Sequence, residues 1–228
     1  VNSRFIPGAI FAATSLLLVE SYLYIPSGLA TTISFLYPIA VTLILFFGFG
    51  QRVSANTLVA ILLSFAGVFL LSFKSASGSL DGRGLLCVII TVFTYSTYIV
   101  GMNKSCVNSL SSLVLSFYVL LFTTLFFTVN MGLQGGLESI PGIKELGSLL
   151  LLGFIPTVLS NIFLFLALKR IDSATTSLFG CMEPLTALLV GYFVFGESML
   201  WLQILGVAII IAAVLMVVLQ TFKDNSRE

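Results

Sequence analysis

One carboxyl lies in the middle of a long apolar stretch. Glu183 is the only Asp, Glu, Lys or Arg between the ends of residues 173–197, and Pro184 follows it directly. About 20 apolar residues cross a bilayer, so this carboxyl is predicted at mid-membrane. A charge is costly there, so Glu183 should face protein or a water-filled cavity and favour its neutral form. Two interpretations stay open: a proton-coupling or substrate-binding carboxyl, or a neutral acid that bonds the carbonyl freed by Pro184.

The residues around Glu183 predict a broken helix. Pro184 has no N–H, so the carbonyl of Gly180 loses its helical partner. Thr176, Gly180 and Glu183 lie on one helical face that carries small and polar residues. In membrane proteins, an interrupted helix of this kind is tolerated where it lines a cavity.

Further polar and aromatic residues are candidates for the same cavity. Hydroxyls and amides at mid-helix line cavities, but Ser and Thr also bond their own backbone and Asn also bridges helices. Tyr95 lies on a face with Thr91 and Tyr98 that suits an amphipathic organic molecule. Glu20 lies near the end of its apolar run, where it contacts solute or extends to the interface. The candidate cavity and proton-coupling residues are Glu183, Tyr37, Asn161, Ser160, Thr157, Tyr95, Thr176, Thr14, Ser15 and Glu20, and the helix-break residues are Pro38, Pro184 and Gly180.

The composition places the chain in a membrane. Hydrophobic residues make up 58% of the 228 residues and charged residues 8%, against about 25% charged residues in soluble domains. The mean hydropathy is +1.15. A net charge of +1 gives no electrostatic case for binding nucleic acid. The absence of histidine excludes His-based triads and zinc motifs, so we predict no catalytic site, no metal and no cofactor.

Eight apolar runs predict an all-α protein, because continuous apolarity over this length favours helices over barrel strands. They are 6–24, 28–48, 55–73, 84–102, 110–131, 146–168, 174–196 and 200–222. The last run is interpreted as peripheral support or a homodimer face.

Lys and Arg predict the orientation. When alternate connections are counted, seven lie on one side, namely Arg4, Arg52, Lys104, Lys169, Arg170, Lys223 and Arg227. Three lie on the other, namely Lys74, Arg83 and Lys144. The C-terminus is therefore predicted to be cytoplasmic, in a multi-pass protein of the inner (plasma) membrane.

An internal repeat underlies these runs. With an offset of 146 residues, Tyr37 aligns with Glu183, Pro38 with Pro184, and Gly50 with Gly196. The two copies enter the membrane from opposite sides, so they are inverted. We predict a first repeat of three helices at 1–74, a second of five helices at 81–222, and a polar tail at 223–228. Since the second copy has five helices, the first is expected to lack two.

The pattern resembles the EamA-type transporters of the drug/metabolite transporter superfamily. The resemblance rests on Glu183-Pro184, on Gly196-Glu197, on residues 202–217 and on residues 24–38 of the first copy. It implies inverted five-helix repeats around a central cavity, with alternating access for amino acids, sugars, other metabolites or drugs. This chain departs from the pattern because its first two helices are missing.

The sequence therefore predicts a secondary carrier of small organic solutes in the lipid bilayer, with possible proton coupling through Glu183. Two alternatives stay open. A non-transporting assembly subunit is compatible with the missing helices. An intramembrane lipid-modifying enzyme is less favoured, because no cluster of catalytic groups is visible at either membrane face.

Overall fold

The computed structural model describes residues 5–51, 53–71, 81–106, 111–133, 142–196 and 200–225. Within these ranges the regular structure is helical and no strand occurs. The predicted all-α fold is confirmed. Of the residues counted for orientation, Arg4, Arg52, Lys74 and Arg227 lie outside the described part.

Eleven α-helices and two short π-helical segments follow one another along the described chain. The helices are α1 (Phe5–Ser21), α2 (Ser27–Ser34), α3 (Tyr37–Phe49), α4 (Ala55–Leu71), α5 (Gly82–Gly101), α6 (Ser112–Leu133), α7 (Ile143–Gly153), α8 (Ser160–Arg170), α9 (Ser173–Gly180), α10 (Met182–Phe195) and α11 (Trp201–Asn225). The π-helical segments are Met102–Cys106, after α5, and Phe154–Leu159, between α7 and α8.

These helices make a multi-pass membrane protein. Five helical stretches of the described chain are long and apolar enough to cross a bilayer, namely Leu29–Phe49, Gly82–Lys104, Ser112–Leu133, Ile143–Arg170 and Ser173–Val194. Three shorter apolar helices are Pro7–Ser21, Ala55–Leu71 and Trp201–Val217. Together they correspond to the eight predicted runs.

Two of the stretches are interrupted near their middle. The first break separates α2 from α3 at Phe35 and Leu36, and the second separates α9 from α10 at Cys181. Each following half-helix has a proline in its first turn, where a missing N–H costs no helical bond. Pro38 and Pro184 therefore mark restarts of the helix, and the interruptions precede them.

Both interrupted stretches also end alike. Gly50 and Gly196 cap α3 and α10 in the left-handed conformation, with φ of 61° and 67°. They are the only described residues with positive φ, and glycine reaches this region without a steric penalty. The two caps are 196 − 50 = 146 residues apart, which is the offset of the sequence repeat.

A third interruption was not predicted. Pro156 lies in the π-helical segment Phe154–Leu159, and its missing N–H leaves the carbonyl of Leu152 without its usual partner. The Thr157 hydroxyl donates to that carbonyl at 3.3 Å. π-Helical turns of this kind are frequent at functional sites.

The core is organised by α5 on one side and by the α4–α11 pair on the other. α5 packs against α1, α2 and α3. α4 and α11 approach closely because Gly67 and Gly206 face each other without side chains. The buried Gln203 joins the same two helices, since its Nε2 donates to the Leu71 carbonyl at 3.2 Å and its Oε1 accepts from the Leu200 N–H at 2.9 Å. The last apolar helix is thus tied into the fold through α4.

Candidate functional site

Two cavities open next to the helix breaks. The larger, called here the α8–α9 cavity, has a volume of about 500 Å³ and is lined by Tyr37, Tyr95, Ile99, Pro156, Ser160, Phe163, Leu164, Ala167, Ile171, Thr176, Ser177, Phe179, Gly180 and Glu183. The smaller, called the α1–α2 cavity, has a volume of about 320 Å³ and is lined by Phe11, Thr14, Ser15, Leu18, Tyr22, Thr31, Ser34, Phe35, Tyr37, Thr91, Tyr95 and Glu183. Both volumes fall in the range that accommodates small organic ligands.

Three side chains belong to both cavities: Tyr37, Tyr95 and Glu183. The rings of Tyr37 and Tyr95 meet edge to face, with centroids 4.9 Å apart. From this shared wall the α8–α9 cavity extends along α9 to Ile171 at one end of the helices, and the α1–α2 cavity extends along α1 to Tyr22 at the opposite end. The three residues therefore separate two compartments that point in opposite directions.

The Tyr37 hydroxyl connects the two helix breaks directly. Tyr37 is the first residue of α3, and its hydroxyl donates to the carbonyl of Ser177 in α9 at 3.0 Å. Gly180 makes room for this contact, because a Cβ at that position would overlap the Tyr37 hydroxyl oxygen. On the other side, the Ser96 hydroxyl of α5 donates to the Tyr37 carbonyl at 3.0 Å. The breaks of the two copies are thus held together at one point.

The Glu183 carboxyl has no such attachment. It is in the first turn of α10 and is exposed to the two cavities. None of the described residues donates a hydrogen bond to it or forms an ion pair with it, and neither cavity is lined by Lys or Arg. The carboxyl is therefore available to a solute, to water or to a proton.

The described residues offer little to a metal ion. No group of three or more His, Cys, Asp or Glu side chains comes together within them. Cys87 and Cys181 are free thiols, and Cys181 is buried at the second break. The chemistry that this arrangement supports is reversible binding at a single carboxyl.

Four more of the predicted site residues line one cavity each. Ser160 and Thr176 line the α8–α9 cavity, whereas Thr14 and Ser15 line the α1–α2 cavity. The hydroxyls of Thr14 and Ser15 donate to the carbonyls one turn earlier in α1, at 2.7 and 3.0 Å. The Thr14 hydroxyl is also bonded to the Thr94 hydroxyl at 2.9 Å, whereas the Ser15 oxygen is left as an acceptor toward the cavity.

The other three predicted residues line neither of these two cavities. Asn161 is buried between α5 and α8, where it accepts from the Tyr98 hydroxyl at 3.4 Å and donates to the Thr157 carbonyl at 2.8 Å. The Thr157 hydroxyl donates to the Leu152 carbonyl beside the π-helical segment. Glu20 accepts from the Tyr24 hydroxyl at 3.4 Å, one turn further along the chain.

The repeat offset identifies lining residues that were not singled out. Thr14, Leu18, Thr31 and Ser34 line the α1–α2 cavity, and adding 146 to each number gives Ser160, Leu164, Ser177 and Gly180, which all line the α8–α9 cavity. Tyr37 and Glu183, which line both, are related by the same offset. Thr31, Ser34 and Ser177 could therefore have been found from the sequence by applying the offset to every polar or break-adjacent position, whereas the apolar Leu18 and Leu164 carried no such signal.

The Tyr37–Gly180 contact makes a testable prediction. Gly180→Ala should destabilise the fold by about 1–3 kcal/mol, the usual cost of overpacking, because the added methyl group meets the Tyr37 hydroxyl. Tyr37→Phe should cost about 1 kcal/mol through the lost hydrogen bond to Ser177. Together the two changes should cost less than their sum, since Tyr37→Phe removes the atom that clashes. Unfolding titrations in detergent measure all three variants.

Tyr192→Phe is the control for this cycle, because Tyr192 is 46% exposed on α10. It should leave stability unchanged. Strict additivity of Gly180→Ala and Tyr37→Phe would show that the two residues do not act on each other.

Comparison with known proteins agrees with this architecture. The model of the family described as "EamA-like transporter family" matches residues 82–219, more than half of the chain. An "Uncharacterized transporter" of Archaeoglobus fulgidus is 28% identical over 172 residues, which are 73% of this chain and 58% of the relative. The "Uncharacterized transporter YetK" of Bacillus subtilis is 23% identical over 201 residues, which are 85% of this chain and 59% of the relative.

A solved crystal structure has the same fold. It superimposes with a TM-score of 0.82 at 15% identity, and the match covers 95% of this chain and 75% of the solved chain.

The match to the two curated relatives extends over somewhat less than three fifths of their length.

Proposed function

Because the chain belongs to the EamA-like transporter family, we propose that it is a secondary carrier that moves small organic solutes across the membrane by alternating access. The solute occupies the shared wall of Tyr37, Tyr95 and Glu183. In one state this wall is reached through the α8–α9 cavity, and in the other state through the α1–α2 cavity.

One observation carries this proposal: the two cavities are built from equivalent positions of two copies. Ser160 and Leu164 occupy in one cavity the places that Thr14 and Leu18 occupy in the other. Two half-sites of matching construction and opposite direction can exchange roles when one copy rocks against the other. A packing defect would have no reason to recur at the same offset.

Proton coupling is the second part of the proposal. A carboxylate without a partner is costly in a dry membrane interior, so Glu183 is neutral when its cavity is closed and ionises when the cavity opens to water. The same group then takes up a proton on one side and releases it on the other. With the inner membrane as location and the C-terminus in the cytoplasm, the α8–α9 cavity opens to the cytoplasm.

Thiol labelling tests alternating access without knowledge of the solute. In a background free of Cys87, Cys106 and Cys181, single cysteines are placed at 15, 167 and 183. An impermeant thiol reagent added outside intact cells should label Ser15→Cys and Glu183→Cys, but not Ala167→Cys. Added to inverted membrane vesicles, it should label Ala167→Cys and Glu183→Cys, but not Ser15→Cys.

Leu125→Cys is the control. Leu125 is 51% exposed on the surface of the apolar helix α6, where it should face lipid, so the cysteine should not react with the reagent from either side. The decisive variant is Glu183→Cys. Reaction from one side only would contradict alternating access. A reversed pattern for Ser15→Cys and Ala167→Cys would keep the mechanism but overturn the orientation.

A further inference from the structure

We propose that the solute of this site is an organic cation, in which an ammonium group is attached to an aromatic or aliphatic body. This inference rests on the proposed carrier function and adds the class of substrate to it. It follows from the charge of the cavity walls, from their aromatic faces and from the position of Glu183 between the two compartments.

The walls carry acidic charge and no basic charge. Among the described residues that line the two cavities, Glu183 is the only Asp, Glu, Lys or Arg. The other titratable groups facing it are the hydroxyls of Tyr37 and Tyr95, with the Cys181 thiol behind Tyr37. Lys169 and Arg170 lie at the end of α8 and line neither cavity. An anionic solute would meet a carboxyl and no counter-ion, whereas an ammonium group finds its counter-ion in Glu183.

The aromatic residues suit the same ligand. Tyr37 and Tyr95 lie beside Glu183 in both walls, and Phe163, Phe179, Phe11 and Phe35 line the cavities beyond them. The faces of aromatic rings attract a cation within about 6 Å and also pack against its apolar body. Tyr95 stacks on Tyr98 with ring centroids 6.1 Å apart and still lines both cavities. A sugar would need free hydrogen-bond donors, whereas the hydroxyls of Thr14, Ser15 and Thr31 in the α1–α2 cavity donate to carbonyls of their own helices at 2.7, 3.0 and 2.7 Å.

The position of Glu183 allows the cation to pass from one cavity to the other. Since the same carboxyl belongs to both cavities, an ammonium group can leave it in either direction without being transferred to a second acid. A proton neutralises the same carboxyl. Cation and proton therefore compete for one group, and the release of one accompanies the binding of the other.

Three molecules of nearly equal size and different charge test the substrate class. The full chain in lipid nanodiscs is titrated calorimetrically with 2-phenylethylammonium, 2-phenylethanol and phenylacetate. We expect the ammonium compound to bind at least about tenfold more tightly than the alcohol, because a desolvated cation between a carboxylate and aromatic faces gains that much or more. Phenylacetate should bind most weakly.

Two variants assign this preference to its residues. Glu183→Gln should bind the ammonium compound and the alcohol about equally, whereas Glu145→Gln, which removes an exposed carboxyl of α7 that lines neither cavity, should keep the preference. Equal or tighter binding of the alcohol or phenylacetate by the unmodified chain would overturn the proposal. Survival of the preference in Glu183→Gln, or no binding of any of the three compounds, would overturn it as well.

The labelling experiment separates this inference from the carrier function. Labelling of Glu183→Cys from both sides, combined with no preference for the ammonium compound, would leave the carrier intact and reject only the substrate class. Labelling from one side only, combined with a clear preference, would leave a cation-binding site without alternating access.

Discussion

The chain with Glu183→Gln is expected to bind its solute more weakly than the parent chain does and to lose accumulation driven by a pH gradient, even at solute concentrations that saturate it. Glutamine keeps the shape and much of the hydrogen bonding of a neutral acid but cannot take up or release a proton. If one proton is exchanged for one solute molecule, a gradient of one pH unit supports up to about tenfold accumulation. The variant should reach a ratio of about one.

The measurement is uptake into proteoliposomes with an imposed pH gradient. Any solute that the parent chain accumulates serves, and phenyltrimethylammonium is the first to try because its charge is permanent and it crosses lipid slowly. Glu145→Gln is the matched control, since Glu145 lies exposed at the start of α7 and should accumulate solute like the parent. Solute exchange without a gradient should show whether Glu183→Gln still carries the molecule.

Glu183→Ala distinguishes the two interpretations of this carboxyl. A neutral acid that bonds the carbonyl freed by Pro184 would stabilise the helix break, so its removal would lower the stability of the fold. In the described structure the Glu183 carboxyl faces both cavities and makes no hydrogen bond to the Gly180 carbonyl or to any other described group, so Glu183→Ala should leave the stability of the fold unchanged. If Glu183→Gln accumulates solute as well as the parent does, the role in proton coupling is excluded and the role in capping the break remains.

The second large effect is expected where α4 meets α11. A Cβ at Gly206 would lie 2.7 Å from the Gly67 carbonyl oxygen, and a Cβ at Gly67 would lie 2.9 Å from the Gly206 carbonyl oxygen. Both atoms belong to the backbone and cannot rotate away, so the helices would have to separate. Gly206→Ala and Gly67→Ala should each cost about 1–3 kcal/mol of unfolding free energy.

The control for this pair is Gly147→Ala. Gly147 lies within α7, and a Cβ there would meet nothing within 4 Å, so the change should be neutral or should stabilise the helix by up to about 1 kcal/mol. The double variant Gly67→Ala, Gly206→Ala should cost less than the sum, because helices already separated for one methyl group accommodate the second. Unchanged stability of Gly206→Ala would mean that the close approach of α4 and α11 is not required.

Much of this architecture could be predicted from the sequence, because lipid imposes continuous apolar runs and helices satisfy their own backbone. The interruptions near Pro38 and Pro184 could also be predicted, because proline is disfavoured inside a helix and tolerated in its first turn, so each proline indicates a break just before it. Pro156 carried the same signal, but the equivalent position of the first copy is Ile10, so the repeat does not indicate a break there.

The candidate site was harder to predict because a helical face does not reveal its neighbour. Asn161 and Ser160 are adjacent in the sequence, yet Ser160 lines a cavity and Asn161 is buried against Tyr98. The π-helical segment ends between Leu159 and Ser160, and such a turn rotates the residues beyond it relative to a regular helix. The contact between Tyr37 and Ser177 depends on tertiary packing, which neither local sequence specifies.

The matched left-handed caps at Gly50 and Gly196 also connect this fold to the thickness of the bilayer. From Pro38 to Gly50 and from Pro184 to Gly196 the chain advances twelve residues each, which is about 18 Å of helix. If each cap marks one surface of a hydrocarbon layer about 30 Å thick, the two breaks overlap by roughly 6 Å at its centre. A thicker layer draws the caps apart and reduces this overlap by the same distance. We therefore expect the strength of the bond between Tyr37 and Ser177 to depend on the thickness of the lipid in which the protein resides.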